Sequence, residues 1–335
     1  MRSNFSRKLF AAALLLCLAG CAFVPPAHDK SRFAFAMIGD LQYNQFEETH
    51  FPPMLDAISR EPLAFVVHVG DFKAGSNAPC TDALFTHRRD QFNRSVHAFI
   101  YTTGDNDWVD CRRPTNGAMD PLARLEKLRE IFFENDFSLG KNPFRLTRQS
   151  ETFKADAVLS RYRENAMWVH GGVVFAAVNV QGSPDNVGFD AASDAEQALR
   201  TRANIAWLKT AVARARRGDI AGLAIFLQAN PGFESTPDQV AKSAFMPFLR
   251  AFEAEAVALG KPILFAHGDS HQHRVDRPYQ SPIDKRVIRN VTRVEGYGTP
   301  NVNWLRITVD PANRAALFSI ASGNFVAGSA SPETP

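Results

Sequence analysis

Residues 33–43, FAFAMIGDLQY, decide the fold that we expect for this chain. Residues 33–38 form an apolar run of the length of a buried strand, and Gly39 lets the backbone turn directly after it. Asp40 and Gln42 follow, and the two-residue period of an extended chain places their side chains on the same side. The stretch therefore predicts a buried strand that ends at two oxygen-bearing side chains.

The same pattern of an apolar run followed by a polar cluster recurs along the chain. Residues 65–69 end in Gly70-Asp71, residues 99–103 in Gly104-Asp105-Asn106-Asp107, residues 223–227 in Gln228-Ala229-Asn230, and residues 263–266 in His267-Gly268-Asp269-Ser270-His271. Because the carboxyl ends of parallel strands meet at one edge of a sheet, we expect these side chains to form a ligand site there.

The first twenty residues are typical of a signal peptide. Basic residues at positions 2, 7 and 8 precede an apolar run over residues 9–18 that is too short to span a membrane. The run ends in Leu-Ala-Gly-Cys21, which favours a lipoprotein signal with lipid attached to Cys21; an ordinary secretory signal is the alternative. We expect residues 1–20 to be removed and residues 21–32 to form a tether. The protein would be exported and anchored in a bacterial membrane, with the outer membrane, facing the periplasm, as the expected location.

The formal net positive charge of the chain comes from the predicted signal peptide, residues 1–20. The whole sequence has 38 Lys and Arg against 35 Asp and Glu. Setting aside the three basic residues of the signal peptide leaves 35 of each kind, a formal net charge of zero. A neutral chain gives no reason to expect nucleic acid as a partner.

Two cysteines, Cys80 and Cys111, remain when Cys17 leaves with the signal peptide and Cys21 carries lipid. In an oxidising compartment such a pair forms a disulfide by default, and two buried thiols are the alternative. The bridge would connect the segment after Asp71 to the segment after Asp107 and would stabilise the chain by roughly 3–4 kcal/mol.

The remaining pattern predicts one domain of alternating helices and strands over residues 33–325, followed by a tail over residues 326–335 that is disordered by composition. Helical spacing of apolar residues predicts helices over residues 120–133, 193–217 and 236–259. Short runs predict strands over residues 159–163, 167–169 and 173–180, and residues 134–153 are predicted to be loop because they have no sustained period.

In chain order, the segments after the predicted strands read Asp-x-Gln, Gly-Asp, Gly-Asp-Asn-Asp, Gln-Ala-Asn-Pro and Gly-Asp-Ser-His. This series resembles the motifs of the calcineurin-like metallophosphoesterase superfamily, which read Asp-x-His, Gly-Asp, Gly-Asn-His-Glu/Asp, a lone His and Gly-His-x-His. The resemblance covers residues 33–320 in order and spacing. It implies a fold of the α/β class, a four-layer αββα sandwich with two mixed β-sheets, and a site for two metal ions at the strand ends.

The resemblance also implies roles for residues at that edge. Asp71 would bridge the two metal ions. Asp40, Gln42 and His271 would complete the ligands of the first ion, and Asp105, Gln228 and Asp269 those of the second. Asn106 is the alternative to Asp105, and Asn230 the alternative to Gln228. The reaction implied is hydrolysis of a phosphomonoester, a phosphodiester or a diphosphate ester by a hydroxide that the two metal ions activate.

The sequence departs from the family pattern at the proton donor. Asn106 stands where the family has a His that protonates the leaving group, and an amide cannot act as an acid. His267 and His273 are the nearest histidines in sequence that could replace it. The candidate catalytic residues are therefore Asp71, Asn106, His267 and His271. Asn106 and Arg112 are candidates for substrate binding, and a solvated charge pair is the alternative for Arg112.

Carboxylate and amide oxygens replace imidazole at most of the implied ligand positions. Hard oxygen ligands favour Mn²⁺ or Mg²⁺, with Fe, Zn²⁺ or Ca²⁺ as alternatives. A small phosphorylated molecule is the expected substrate, and the lipid bilayer is the expected partner of Cys21. The alternative function is a non-catalytic, metal-stabilised binding lipoprotein with the same fold, which Asn106 and the loss of imidazole ligands would favour.

Overall fold

The computed structural model describes residues 31–323 and 325. The signal peptide, Cys21, residues 22–30 of the tether and the tail over residues 326–335 lie outside the described residues, so the expectations for them stay predictions. Among the described helices, none is long and apolar enough to cross a membrane.

The strands are, in chain order, β1 (Phe33–Ile38), β2 (Phe65–His68), β3 (Ala98–Tyr101), β4 (Thr147–Arg148), β5 (Ala166–His170), β6 (Val173–Ala177), β7 (Gly222–Phe226), β8 (Ile263–His267), β9 (Arg274–Asp276), β10 (Tyr279–Gln280), β11 (Val287–Ile288), β12 (Val291–Glu295), β13 (Leu305–Val309) and β14 (Phe318–Ser322). The helices are α1 (Gln45–Arg60), α2 (Asp82–Phe92), α3 (Pro121–Phe132), α4 (Gln149–Thr152), α5 (Gly182–Asp185), α6 (Ala191–Ala215), α7 (Pro237–Ala241) and α8 (Met246–Leu259).

The strands form two large mixed sheets. The first has five strands in the order β14-β13-β1-β2-β3, and the second has seven in the order β4-β5-β6-β7-β8-β12-β9. Within the first sheet β1, β2 and β3 are parallel, and within the second β6, β7, β8 and β12 are parallel. Parallel neighbours end at the same edge of their sheet, so each sheet presents one row of strand ends.

The two sheets pack face to face with a helical layer outside each. Phe35 of the first sheet lies 4.9 Å from the ring of Phe65 and packs edge-on against Phe175 and Phe226 of the second sheet. Apolar residues of α1, α2 and α3 cover the outer face of the first sheet, and those of α6 and α8 cover the second. The four-layer αββα sandwich with two mixed sheets that the sequence predicts is confirmed.

The predicted strand over residues 159–163 is wrong: Leu159–Arg161 is a 3₁₀ turn. Its start is fixed locally, because Asp156 Oδ1 accepts hydrogen bonds from the backbone N–H groups of Val158 and Leu159. The predicted loop over residues 134–153 contains the short elements β4 and α4. The predicted helix over residues 236–259 is two helices, and Pro247 stands at the start of the second, where its missing N–H costs nothing.

The strand β12 is absent from the sequence prediction. Arg293 and Glu295 lie within it, and charged side chains at these positions obscure the apolar pattern of a buried strand. Both are buried because they pair with one another at 2.9 Å, and Arg293 also contacts Asp276 at 2.9 Å. These ion pairs therefore allow β12 to be buried although its sequence contains charged residues.

The disulfide between Cys80 and Cys111 is present, as the sequence predicts. The two residues are 31 positions apart, their Cα atoms are separated by 5.7 Å, and both side chains are fully buried. Cys111 belongs to the 3₁₀ helix Val109–Arg112, so the bridge fixes the segment that follows β2 to the segment that follows β3.

His68 at the end of β2 makes the folded protein sensitive to acid. Its ring is fully buried, and Nδ1 accepts a hydrogen bond from the Gly70 N–H at 3.1 Å. Burial, with a smaller contribution from Arg88, lowers the pKa of His68 to about 3. Unfolded histidine titrates near pH 6.5, so the contribution to stability is complete above that pH and is lost as the pH falls towards 3.

We therefore expect the wild type to lose about 2 kcal/mol more than His68→Asn in its free energy of unfolding between pH 8 and pH 5. Asn keeps a hydrogen-bond acceptor and does not titrate. Urea unfolding at the two pH values measures the difference, and parallel pH profiles for the two proteins would contradict it.

Candidate functional site

Four aspartates converge where the strand ends of the two sheets meet. Asp40, Asp71 and Asp105 follow β1, β2 and β3, and Asp269 follows β8. The first three are buried, and Asp269 is partly buried. Asp269 belongs to the second sheet, yet its N–H donates to Asp40 Oδ1 of the first sheet at 3.0 Å. The structure thus brings together four of the carboxylates that the strand-end pattern singles out.

Two glycines of these motifs permit close approach by a neighbouring carboxylate. A Cβ on Gly104 would lie 2.0 Å from Asp71 Oδ1, and a Cβ on Gly268 would lie 2.0 Å from Asp40 Oδ2. Heavy atoms cannot approach so closely, so a side chain at either position would displace the neighbouring carboxylate. The sequence interpretation assigned Gly39 to chain reversal. Gly104 instead makes room for the aspartate that follows the adjacent strand β2, and Gly268 makes room for an aspartate of the other sheet.

Asp107 holds the loops that carry this cluster. Its carboxylate accepts hydrogen bonds from the backbone N–H groups of Asp71, Phe72 and Gly104 at 2.8–3.0 Å. It also accepts one from the hydroxyl of Tyr101 at 2.7 Å. The side chain is fully buried, and burial raises its pKa to about 6. Asp107 thereby positions Asp71 and the turn after β3 without facing the cluster itself.

Tyr43 is a site residue that the sequence interpretation missed. Its hydroxyl donates to Asp71 Oδ2 at 3.0 Å and accepts a hydrogen bond from Asn106 Nδ2 at 2.8 Å. Its ring packs edge-on against His271, with the centroids 5.3 Å apart. The available signal was its place directly after the Asp-Leu-Gln segment. Asn106 therefore reaches Asp71 twice, through Tyr43 and through its own N–H, which donates to Asp71 Oδ1 at 3.0 Å.

Gln228 lies in the cluster but presents hydrogen-bond donors to it. Its Oε1 accepts from the Gly182 N–H at 2.7 Å, which fixes the orientation of the amide. Its Nε2 consequently faces Asp71 Oδ2 at 3.0 Å and Asp269 Oδ1 at 3.3 Å. This orientation does not fit the expectation that Gln228 is a metal ligand, because an amide nitrogen has no free lone pair for a cation.

Asn230, the alternative ligand, is also occupied. Its Oδ1 accepts from the N–H groups of Gly232 and Phe233, and its Nδ2 donates to Glu234 and Ser270. Only its backbone reaches the cluster, where the N–H donates to Asp269 Oδ2 at 2.7 Å.

Two side-chain oxygens of the predicted ligand residues are buried without a hydrogen-bond partner among the described residues. They are Asp105 Oδ1 and Gln42 Oε1. The amide nitrogen of Gln42 donates to Glu48 and Gln91, both at 3.0 Å, so its oxygen is the atom left over. Buried unpaired oxygens are costly unless a donor or a cation approaches them.

The turn α5 lies against Asp105. Ser183 Oγ is 2.6 Å from Asp105 Oδ2 and 2.9 Å from Asp110 Oδ1. A hydroxyl has one proton, so both contacts are hydrogen bonds only when one of the carboxyl groups is protonated. Burial, followed by the charge of Asp105, raises the pKa of Asp110 to about 6. Nothing in the order of residues 183–186 signals this contact in the sequence.

Arg112, a predicted substrate-binding residue, is engaged in holding the segment after α5. Its guanidinium lies 3.5 Å from the ring centroid of Phe189 and donates to Asn186 Oδ1, and its Nε donates to the carbonyl of Val109 at 2.9 Å. These contacts give Arg112 a structural task; the structure does not show it facing the carboxylates.

Of the three candidate histidines, one lies at the site and two lie elsewhere. His271 is half-buried beside the cluster, and its Nε2 lies 3.9 Å from Asp40 Oδ1. His267 is fully buried: its Nδ1 contacts the Gly268 carbonyl at 2.7 Å and its Nε2 accepts from Arg293 Nε at 2.8 Å. Burial and Arg293 hold the pKa of His267 well below its usual value. The structure therefore does not support His267 as the proton donor, and His273 is bound to the Glu295 carbonyl instead.

The four aspartates disfavour one another's negative charge. Burial raises the pKa of Asp71 well above its usual range, and Asp105 adds to the effect. Burial raises the pKa of Asp40 in the same way, with a smaller contribution from Asp269. Burial and Asp105 together raise the pKa of Asp269 to about 7. A buried cluster of this kind requires protons or cations to compensate its charge.

The donor set fits hard divalent cations. It consists of the carboxylate oxygens of the four aspartates and the imidazole of His271, and Asp105 Oδ1 is unpaired. The Gln42 amide contacts Glu48 and Gln91, so the structure does not show its oxygen facing the four aspartates. As the side chains stand, no three His, Cys, Asp or Glu groups within residues 31–323 converge as a ready-made metal site. The side chains would therefore have to close around an ion.

Gly182 marks one place where such an ion would bind. A Cβ on this residue would lie 2.7 Å from Asp269 Oδ1 and 2.8 Å from Asp105 Oδ1, so a methyl group would stand between the two oxygens. We expect Gly182→Ala to lower metal affinity and any hydrolytic rate by about 100-fold, on the scale of effects seen when a metal site is disturbed.

Gly218→Ala is the matched control for that substitution, because a Cβ at Gly218 meets nothing within 4 Å. Calorimetric titration with Mn²⁺ measures the affinity of both variants. Equal affinity in Gly182→Ala and Gly218→Ala would show that the ion does not bind between Asp105 and Asp269.

Comparison with known proteins finds similarity in fold and none in sequence family. No protein-family model matches the chain, and no protein of curated function does. A solved structure described as that of PhoD is similar with a TM-score of 0.55 and 11% identity, covering 89% of this chain and 70% of that one. This likeness shows the fold of the chain, and its activity has to be argued from the site.

Two further solved structures match at lower scores. One is GAP50, described as the anchor in the inner membrane complex of Plasmodium, with a TM-score of 0.46, 11% identity and coverage of 89% of this chain and 90% of that one. The other is a dimetal phosphatase from Danio rerio, with a TM-score of 0.45, 11% identity and coverage of 87% and 99%.

Proposed function

We propose that this protein is a metal-dependent hydrolase of phosphate esters, acting on a monoester, a diester or a diphosphate ester. One observation carries the proposal: four aspartates from both sheets converge at the strand ends, and one of their buried oxygens, Asp105 Oδ1, has no hydrogen-bond partner among the described residues. Two divalent ions would be held by the predicted ligand residues, which are Asp40, Asp71, Asp105, Asp269, Gln42 and His271. When bound, the ions would place positive charge against the phosphoryl oxygens and acidify a water molecule.

Residues around the carboxylates would orient the reacting groups. Tyr43 and Asn106 form a hydrogen-bonded pair that ends on Asp71 Oδ2, so a substrate oxygen near Asp71 would find the hydroxyl and the amide within reach. Gln228 donates to both Asp71 and Asp269 and fixes their separation. His271 is half-buried at the cluster, with its Nε2 3.9 Å from Asp40 Oδ1, and it would supply the one imidazole among the metal ligands.

The test is metal content measured together with hydrolysis. The full chain is purified without chelator, and its metals are quantified by mass spectrometry. Hydrolysis of nitrophenyl phosphate and of bis-nitrophenyl phosphate is then followed before chelation, after chelation, and after addition of Mn²⁺ or Mg²⁺. We expect bound divalent metal and turnover that chelation abolishes and Mn²⁺ restores.

The alternative, a non-catalytic metal-stabilised binding protein, is favoured by one observation, that Gln228 turns its amide N–H groups towards Asp71 and Asp269. Bound metal without turnover on either ester, with a loss of thermal stability on chelation, would establish this alternative. Absence of both metal and turnover would contradict the two functions together.

A further inference from the structure

A basic cleft of about 410 Å³ lies at the edge of the sheets opposite the aspartate cluster. Its walls include Ile263, where β8 begins, Asn290 before β12, and Phe318, where β14 begins. The strand β8 runs from this cleft to Asp269, so its length separates the cleft from the candidate active site. The cleft is therefore a second, independent feature of the fold.

The charge of the cleft is of one sign. Lys261, Arg277, Arg289 and Arg314 line it, and none of the described lining residues is acidic. Lys261 donates to three backbone carbonyls and Arg277 to one, so their donors are in use. Arg289 and Arg314 are exposed, and neither guanidinium forms a hydrogen bond or an ion pair with another described residue. Two guanidinium groups are thus available to an anionic ligand.

The cleft lies close to the point where the chain enters the fold. Phe33, the first residue of β1, pairs with Val309, and Val309 pairs with Phe318 at the cleft wall. Neighbouring strands are about 4.8 Å apart, so two steps place Phe33 within about 10 Å of the cleft. Exposed Arg32 precedes it. The ten residue steps from Cys21 to Ser31 span at most about 35 Å.

We propose that this cleft binds the phosphate head groups of anionic lipids in the membrane to which a lipid on Cys21 would anchor the chain. The charge is complementary, and a lipid on Cys21 would keep this face within reach of the bilayer. A domain docked in this way turns its aspartate cluster away from the membrane. The proposal concerns a separate surface and is independent of the proposed hydrolytic function.

Vesicle binding by the full chain tests the proposal. The wild type is compared with the double variant Arg289→Glu/Arg314→Glu and with the control Arg145→Glu/Lys154→Glu, which changes the charge equally. The control residues are exposed and lie near β4, at the opposite edge of the seven-stranded sheet. Co-sedimentation is measured with phosphatidylcholine vesicles with and without phosphatidylglycerol. All three proteins share residues 1–30. Differences between them in the ratio of affinity for vesicles with phosphatidylglycerol to affinity for vesicles without it therefore report on the folded domain alone.

We expect the wild type and the control to prefer the anionic vesicles by about tenfold or more, and the cleft variant to lose most of this preference. Urea unfolding should give the same free energy of unfolding for all three proteins, which shows that the cleft variant is folded. An equal preference in the cleft variant, or none in the wild type, would overturn the proposal. Stabilisation of the wild type by inorganic phosphate without a preference for anionic vesicles would assign the cleft to a soluble phosphate and would also overturn it.

Discussion

Asp71→Asn is expected to lower kcat/KM for nitrophenyl phosphate by at least about 10³-fold, which corresponds to about 4 kcal/mol of transition-state stabilisation. Asp71 is the central carboxylate of the site: Tyr43 and Gln228 both donate to its Oδ2, and the Asn106 N–H donates to its Oδ1. Asn keeps the shape of the side chain and removes its negative charge. We expect metal content to fall with the rate, because neutral Asn cannot compensate two cations.

Asp90→Asn is the control for that variant, since it makes the same chemical change at an exposed carboxylate paired with Arg89. Its rate and metal content should equal those of the wild type. Steady-state kinetics and metal analysis of the two purified variants decide the outcome. Undiminished hydrolysis by Asp71→Asn would remove this residue, and the mechanism built on it, from consideration.

Asp107→Ala is expected to lower the free energy of unfolding by about 3–5 kcal/mol. The substitution leaves three buried backbone N–H groups and the Tyr101 hydroxyl without their acceptor. Asp107→Asn should cost less, because it retains one acceptor oxygen. Urea unfolding of the chelated proteins at one pH measures the three values.

Asp156→Ala provides the comparison at the surface. Asp156 also accepts from two backbone N–H groups, but water can replace its carboxylate there. Its loss of stability should be much smaller than that of Asp107→Ala. Equal losses in the two variants would show that burial of the orphaned donors does not decide the cost.

The fold and the position of the site follow from the sequence because they depend on local rules. The run over residues 33–38 fixes a buried strand, and the parallel neighbours of β1 carry Asp71 and Asp105 to the same edge. The same rule places Asp269 at the end of β8. Each of these inferences uses only strand length, strand period and the direction of the chain.

The roles of individual side chains depend on partners that the local sequence does not contain. The orientation of Gln228 is set by the N–H of Gly182, 46 residues away. Arg293 donates a hydrogen bond to Nε2 of His267, so this histidine does not face the carboxylates. Arg293 belongs to β12, a strand that the hydrophobic pattern of the sequence does not predict. Tyr43 enters the site because Asn106, 63 positions later, donates to its hydroxyl. Contacts between distant segments, and not local propensity, therefore decide which side chains face the cluster.

The disulfide can form only in an oxidising compartment, and it braces the loops of the candidate site. Cys80 and Cys111 bracket the stretch that carries Asp105, Asp107 and Asp110, and no other covalent link fixes that stretch in the described residues. In a newly made chain in a reducing cytoplasm both cysteines would be free thiols, and only non-covalent contacts would hold the loops of the candidate site. Oxidation would then act as a maturation step, one that confines the fully braced site to an oxidising compartment. Protein produced in reducing cytoplasm should consequently be assayed only after its thiols have been oxidised.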